Sequence, residues 1–301
     1  MITKLEQIID AVKSKEKKRL VAAYANDSHT IGAINMAVEK GIIDATLVGD
    51  VETMKKVCAE EGIDINKFEL VQEADEQKAA NLAVMLINEG KGSMLMKGLC
   101  STDKYMRAIL NKEKGLMPNP KATLSHVGVL EAPTYHKLMV CSDMAIIPDP
   151  DLKQKTAIVG FCVDVAKALG ITTPKVALIA ATEQVSVGMQ ACVDAAIISK
   201  MGDRGQIKGA VIDGPLALDV AIDKEAAEIK KLKSEVAGDA DCLVFPNIDA
   251  GNVFYKTCTK LVGSELAAMV VGAKVPCILS SRGDSELTKL YSIALAALSA
   301  R

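Results

Sequence analysis

Short apolar runs alternate with longer stretches of helical spacing nearly from one end of this chain to the other. The runs rich in β-forming residues are "RLVAAYA", "DATLVGD", "FELVQ", "SMLMKG", "KATLSHVGVL", "KLMVCSDMAII", "KVALIAATE", "IKGAVID", "DCLVFPN", "AAMVVGA" and "VPCILS". Between them lie helical patterns such as "DEQKAANLAVMLINEGK" and "KTAIVGFCVDVAKALG". Parallel strands need crossovers of helix length, so this alternation predicts an α/β fold of parallel sheets covered by helices. No Pro/Gly/Ser linker, repeat or low-complexity segment interrupts it. A length of 301 residues favours two domains. The first is expected at 1–137 together with a C-terminal helix at 282–301, and the second at 138–281.

Ligands of doubly wound sheets bind beyond the carboxyl ends of the strands. The residues that follow each apolar run are therefore the ones to inspect. In "PCILSSRGDSELTK", residues 276–289, a strand ending at Leu279 meets Ser280, Ser281, Arg282 and Gly283 before a helical stripe begins. Asp284 or Ser285 is a natural N-cap there, and Glu286 suits the first turn. Free backbone N–H groups and the helix dipole favour an anion at such a place, and Arg282 adds a bidentate fork. The plainer reading is a capped turn with a solvated arginine.

A second strand end, "MLMKGLCSTDKYMRAIL" at 94–110, brings Lys97, Ser101, Thr102 and Arg107 together in sequence. Two cations and two hydroxyls suit an oxyanion, although Arg107 alone reads as a surface helix residue. A third, "VIDGPLALD", places Asp213, Gly214 and Pro215 after a strand. A fourth, "FPNIDAGNVFYK", offers Asn247, Asn252 and Lys256, with Asn252 or Asp249 as the expected helix cap. Ser125 and His126 in "LSHVG" follow the same logic, the histidine being more readily a core or rim residue.

Composition narrows the function. A net charge of −2, 3% aromatic residues and no tryptophan exclude the basic, stacking surface of a nucleic-acid binder. The eight cysteines are scattered without a CxxC, and the three histidines are dispersed, so no metal site is expected. The charged amphipathic N-terminus is not a signal peptide, and no run reaches the length of a membrane span. These features predict a soluble cytoplasmic protein. There is no GxxxxGK[ST], no GxSxG and no dinucleotide fingerprint.

Taken together, "KGLCSTDKYMR", "KMGDRGQIKGAVIDGPLALD", "FPNIDAGNVFYK" and "SSRGDSELTK" resemble the phosphate acyltransferases, most closely those that act on butyryl groups. The resemblance runs nearly the full length with its motifs in order. It implies reversible transfer of a short acyl group from acyl-CoA to inorganic phosphate, without a cofactor and without a metal. It also implies two α/β domains of the isocitrate/isopropylmalate dehydrogenase-like type around a cleft, usually as a homodimer. By the same resemblance Ser281, Arg282 and Arg107 are catalytic, and Lys97, Ser101, Thr102 and Ser125 bind phosphate or acyl phosphate. Asp213, Gly214, Asn247, Asn252 and Lys256 bind CoA. Two departures stand out. Thr288 occupies the position where the related acetyltransferases carry an aspartate proposed as base, and an arginine they carry before the upstream motif has no counterpart here. The rival readings are phosphate acetyl transfer, an NAD(P)-dependent hydroxy-acid dehydrogenase of the same architecture, and a non-catalytic two-lobed binding protein.

Overall fold

The computed structural model describes residues 1–279 and 284–300. All eleven apolar runs form strands. The chain begins α1 (Leu5–Lys13), β1 (Lys18–Ala23), α2 (Ser28–Glu39), β2 (Ile43–Gly49), α3 (Val51–Glu60), β3 (Glu69–Gln72), α4 (Glu76–Asn88), β4 (Met94–Lys97) and α5 (Thr102–Leu110). It continues through β5 (Ser125–Glu131), β6 (Met139–Ser142), α6 (Leu152–Ala168), β7 (Lys175–Ile179), α7 (Gln190–Asp203) and β8 (Val211–Leu216). Then come α8 (Leu218–Ile222), α9 (Lys224–Ile229), β9 (Cys242–Val244), α10 (Ile248–Thr257), β10 (Glu265–Val271), β11 (Cys277–Ile278) and α11 (Glu286–Ser299).

Most helix starts are sealed locally. Asp27, Asp50, Asp75, Ser101, Asp151, Asn247 and Ser285 each accept a hydrogen bond from an N–H of the turn they precede. Asn247 caps α10, in place of the expected Asn252 or Asp249, and Ser285 caps α11. At Asp151 the cap is reciprocal, because the Gln154 side chain returns a bond to the cap N–H.

Two compact units result, one of residues 6–124 and 267–301, the other of residues 1–5 and 125–266. The switches fall earlier than the expected 137 and 281, for a topological reason. β5 and β6 pair antiparallel, so 125–131 belongs with the unit of β6. β10 and β11 pair antiparallel and β11 joins β4, which draws 267–279 into the other unit. Both connections are too short for a crossover helix, and a hairpin is what a short connection permits.

In the first unit the strand order is β3-β2-β1-β4-β11-β10, and the other pairs are parallel. Its inner strands are covered on both faces, which is why "MLMK" of β4 is buried throughout and reads as an unbroken apolar run. Tyr105 of α5 is fully buried, and its hydroxyl lies 3.2 Å from both the Leu95 and Ile278 carbonyls, tying α5 to β4 and β11. Tyr105→Phe removes only that hydroxyl and is expected to cost about 1 kcal/mol in urea unfolding.

In the second unit the order is β5-β6-β9-β7-β8, with parallel pairs from β6 onward. An ion-pair cluster clamps the amino ends of its strands. Lys137 reaches Asp239 (2.8 Å) and Asp241 (2.7 Å), and Lys175 reaches Asp239 (2.6 Å). Partial burial would raise the Asp239 pKa, but bonds from Lys137 and Lys175 outweigh it and hold the carboxyl well below the usual range. A depressed carboxylate stabilises the fold above its unfolded pKa of about 3.9, and that contribution is lost as pH falls toward the folded value. Asp239→Asn should therefore melt below the parent at neutral pH, with the gap closing below about pH 4 in thermal melts.

Candidate active site

In the first unit the chain winds outward from β1 through β2 to β3, then returns to place β4 on the other side of β1. Such a reversal opens a crevice at the carboxyl ends of β1 and β4. Here the two strand ends are zipped together, with Gly98 N donating to Ala23 O (2.9 Å) and Leu99 N to Tyr24 O (2.8 Å). Only glycine fits at 98, since a Cβ would sit 2.4 Å from the Tyr24 carbonyl oxygen. Asp27 caps α2 on one side of the crevice and Ser101 caps α5 on the other, so two helix N-termini flank it.

The candidates at this strand end divide into two kinds. Lys97 is buried, and its ammonium donates to the carbonyls of Gly98 (3.1 Å) and Cys100 (3.0 Å). Ser101 spends its hydroxyl on the Lys104 N–H (3.3 Å), and Thr102 is the first residue of α5. Arg107 is different: it lies at the surface, 3.0 Å from Asp103 one turn earlier. Lys97 and Arg107, expected to bring their charges to one spot, thus have separate partners here.

Glu76, which the sequence pattern hid inside α4, joins this cluster. Its carboxylate accepts the Ser101 N–H and pairs with Lys104, and those contacts, Lys104 first, lower its pKa. A carboxylate already occupies the α5 N-terminus, as the dipole favours. Cys100 beside it is no nucleophile, because burial pushes its thiol up to about 11.

Ser281 and Arg282 lie outside the described residues. Just beyond them, Ser285 accepts the Thr288 N–H (3.0 Å) and the two hydroxyls are 2.9 Å apart. Thr288 therefore belongs to the cap of α11, and a hydroxyl so placed supplies no base.

In the second unit Ser125 and the start of α10 meet at a residue that sequence reasoning missed. Asp143, 2% exposed, follows β6. Its carboxylate accepts from Ser125 Oγ (2.9 Å), His126 N (3.3 Å), Ala145 N (2.8 Å), Ile146 N (2.9 Å) and Ile147 N (3.2 Å). Ser125, expected on phosphate, is fully buried, and in this arrangement its hydroxyl faces Asp143. α10 starts against the same segment. A Cβ at Gly251 would lie 2.2 Å from the Asp143 carbonyl oxygen, and Asn252 donates to Met144 O (3.1 Å). Asn247 holds the Ala250 N–H (3.0 Å), while exposed Lys256 stacks its ammonium 4.3 Å from the Tyr255 ring centre.

Asp213 and Gly214 lie inside β8 instead of after it. Asp213 accepts the Gly214 N–H (2.8 Å), and a Cβ at Gly214 would come 2.6 Å from Leu178 Cβ, so this glycine is required by packing against β7. Pro215 is tolerated because β8 is an edge strand of its unit. Among the described residues no cluster of three or more His, Cys, Asp or Glu side chains is placed to hold a metal ion, and no helix is long and apolar enough to cross a membrane.

The sequence profile described as phosphate acetyl/butaryl transferase matches residues 4–82 and 72–297. The chain belongs to that family. Among its relatives, the phosphate butyryltransferase of Clostridium acetobutylicum is 47% identical over 298 residues, 99% of this chain and 98% of that one. The phosphate acetyltransferase of Thermotoga maritima is 39% identical over 294 residues, covering 98% and 99% of the two chains. A crystal structure of a branched-chain phosphotransacylase from Enterococcus faecalis superposes with a TM-score of 0.81 at 29% identity, covering 94% of this chain and 98% of that one. The α/β class expected from the alternating runs is thus the family's own, and this member is an acyltransferase.

Proposed function

We propose that the protein is a phosphate butyryltransferase, moving a butyryl or similar short acyl group between CoA and inorganic phosphate. The full-length 47% identity to a phosphate butyryltransferase is the observation that carries this reading. In the phosphate-forming direction a phosphate oxygen attacks the thioester carbonyl carbon, the C–S bond breaks, and CoA leaves as thiolate. Arg282 and Arg107 hold the phosphate, with Ser101 and Thr102 nearby, and Ser281 hydrogen-bonds the departing sulfur. For Arg107 this requires exchanging Asp103 for phosphate, which a surface ion pair of this kind permits at little cost.

No strong base is needed. Phosphate is already an anion, and a thiol of pKa about 8.5 lies only about 2 kcal/mol from ionisation at pH 7. Positioning two bound substrates supplies roughly 7 to 11 kcal/mol, and each preorganised donor about 3 kcal/mol. Thr288 in place of an aspartate is compatible with that balance. Lys256, an exposed cation, and Asn252 are the residues we assign to CoA, together with Asp213, Gly214 and Asn247. Transfer is direct, without acyl-enzyme or cofactor, in a cytoplasmic homo-oligomer.

The test is release of free thiol from acetyl-, butyryl- and isobutyryl-CoA, with and without phosphate. Phosphate-dependent release, fastest with butyryl-CoA, is expected. Release that ignores phosphate overturns the reading in favour of a thioesterase, and fastest release from acetyl-CoA replaces butyryl by acetyl transfer.

A further inference from the structure

Away from the residues assigned above, the second unit buries an ion pair that the proposed reaction does not use. Lys155 of α6 and Asp194 of α7 are 6% and 4% exposed, and Lys155 Nζ lies 2.7 Å from Asp194 Oδ2. Gln190 Nε2 donates to the other carboxylate oxygen at 2.8 Å. An ammonium carries three donors, and Asp194 is the one hydrogen-bond partner that Lys155 Nζ has among the described residues. Both side chains line an open recess whose remaining walls include Leu178, Ile198, Val244 and Phe245. It lies where β7 and β9 end, the edge at which parallel sheets take their ligands, and has room for about one water-sized group.

What would satisfy the remaining donors follows from the charges. Asp194 balances Lys155, so a phosphate or carboxylate entering here would face a carboxylate. A neutral carbonyl oxygen accepts from the ammonium without that repulsion, and a single oxygen is the size of group that the recess admits. In an acyl-CoA, the neutral carbonyl oxygens away from the reacting thioester include the two amides of the pantetheine arm. We propose that Lys155 is a CoA-binding residue that donates to an amide carbonyl of that arm, with Asp194 and Gln190 fixing its ammonium. This rests on the transferase reading above and names the part of the substrate the recess takes.

Lys155→Met keeps the stem but orphans a buried carboxylate, so the informative protein is the Lys155→Met/Asp194→Leu double variant. Its KM for butyryl-CoA should rise about tenfold, with kcat and the KM for phosphate unchanged. CoA binding by calorimetry should weaken equally. An unchanged KM for butyryl-CoA, or a rise in the KM for phosphate, overturns the proposal. Should the double variant not fold, a crystal structure of the parent with CoA decides: an amide oxygen within hydrogen-bond distance of Lys155 Nζ is expected, and water alone there overturns it. Failure of the transferase reading is seen separately, as absent phosphate-dependent thiol release from a parent protein that still binds CoA.

Discussion

Arg282→Ala is expected to lower turnover at least about a hundredfold in the phosphate-dependent thiol-release assay, and Arg107→Ala to do the same. Both guanidinium groups are assigned to the phosphate, whose charge must be held while its oxygen approaches the carbonyl carbon. The loss should fall on kcat and on the KM for phosphate, while the KM for butyryl-CoA should stay near its parent value. Arg107 makes the sharper case. Its 3.0 Å contact to Asp103 is a surface ion pair between neighbouring turns of a helix, worth about 0.3 to 0.5 kcal/mol to the fold. Arg107→Ala should therefore unfold in urea almost where the parent does, so lost activity cannot be charged to lost structure. Full activity in both variants would remove the arginines from the mechanism.

The second large effect is on stability. Asp143→Ala leaves the hydroxyl of Ser125 and the N–H groups of His126, Ala145, Ile146 and Ile147 without their common acceptor. A buried donor left unsatisfied costs about 1 to 3 kcal/mol, and neighbouring losses do not add fully. A total on the order of 4 kcal/mol is expected, among the largest that single substitutions produce. Asp143→Asn retains one acceptor oxygen and turns an amide NH₂ toward the remaining donors, so roughly half the loss is expected. Equilibrium urea unfolding of both variants measures this, and equal stability of the alanine variant and the parent would contradict the role drawn for Asp143. The carboxylate also sets the start of β5 and the segment on which α10 rests, so the alanine variant should weaken CoA binding too.

Much of this architecture is legible from local pattern. Runs such as "DATLVGD" and "SMLMKG" declare strands because a strand covered on both faces must be apolar along its length. Ser101 and Ser285 declare helix starts because a cap satisfies donors only two or three residues away. The family is legible only as a resemblance, carried by several motifs in order along nearly the whole chain.

Partners far apart in sequence escape such reading. Asp143 sits inside the run "KLMVCSDMAII", where it looks like an interruption; its five donors come from two separate segments brought together by the pairing of β5 with β6. Glu76 reads as an ordinary acidic residue of a helix first turn until folding sets it against Ser101. Lys97 looks like a cation offered to ligand, yet the strand end turns its ammonium onto backbone carbonyls. Lys155 and Asp194 are indistinguishable from solvated charges by type and spacing, and only the packing of α6 on α7 buries them as a pair. The chain alone thus specifies its elements and several of their caps, because those depend on neighbours within a few residues. Which charges are buried, and which are left to meet substrate, depends on contacts that local periodicity does not encode.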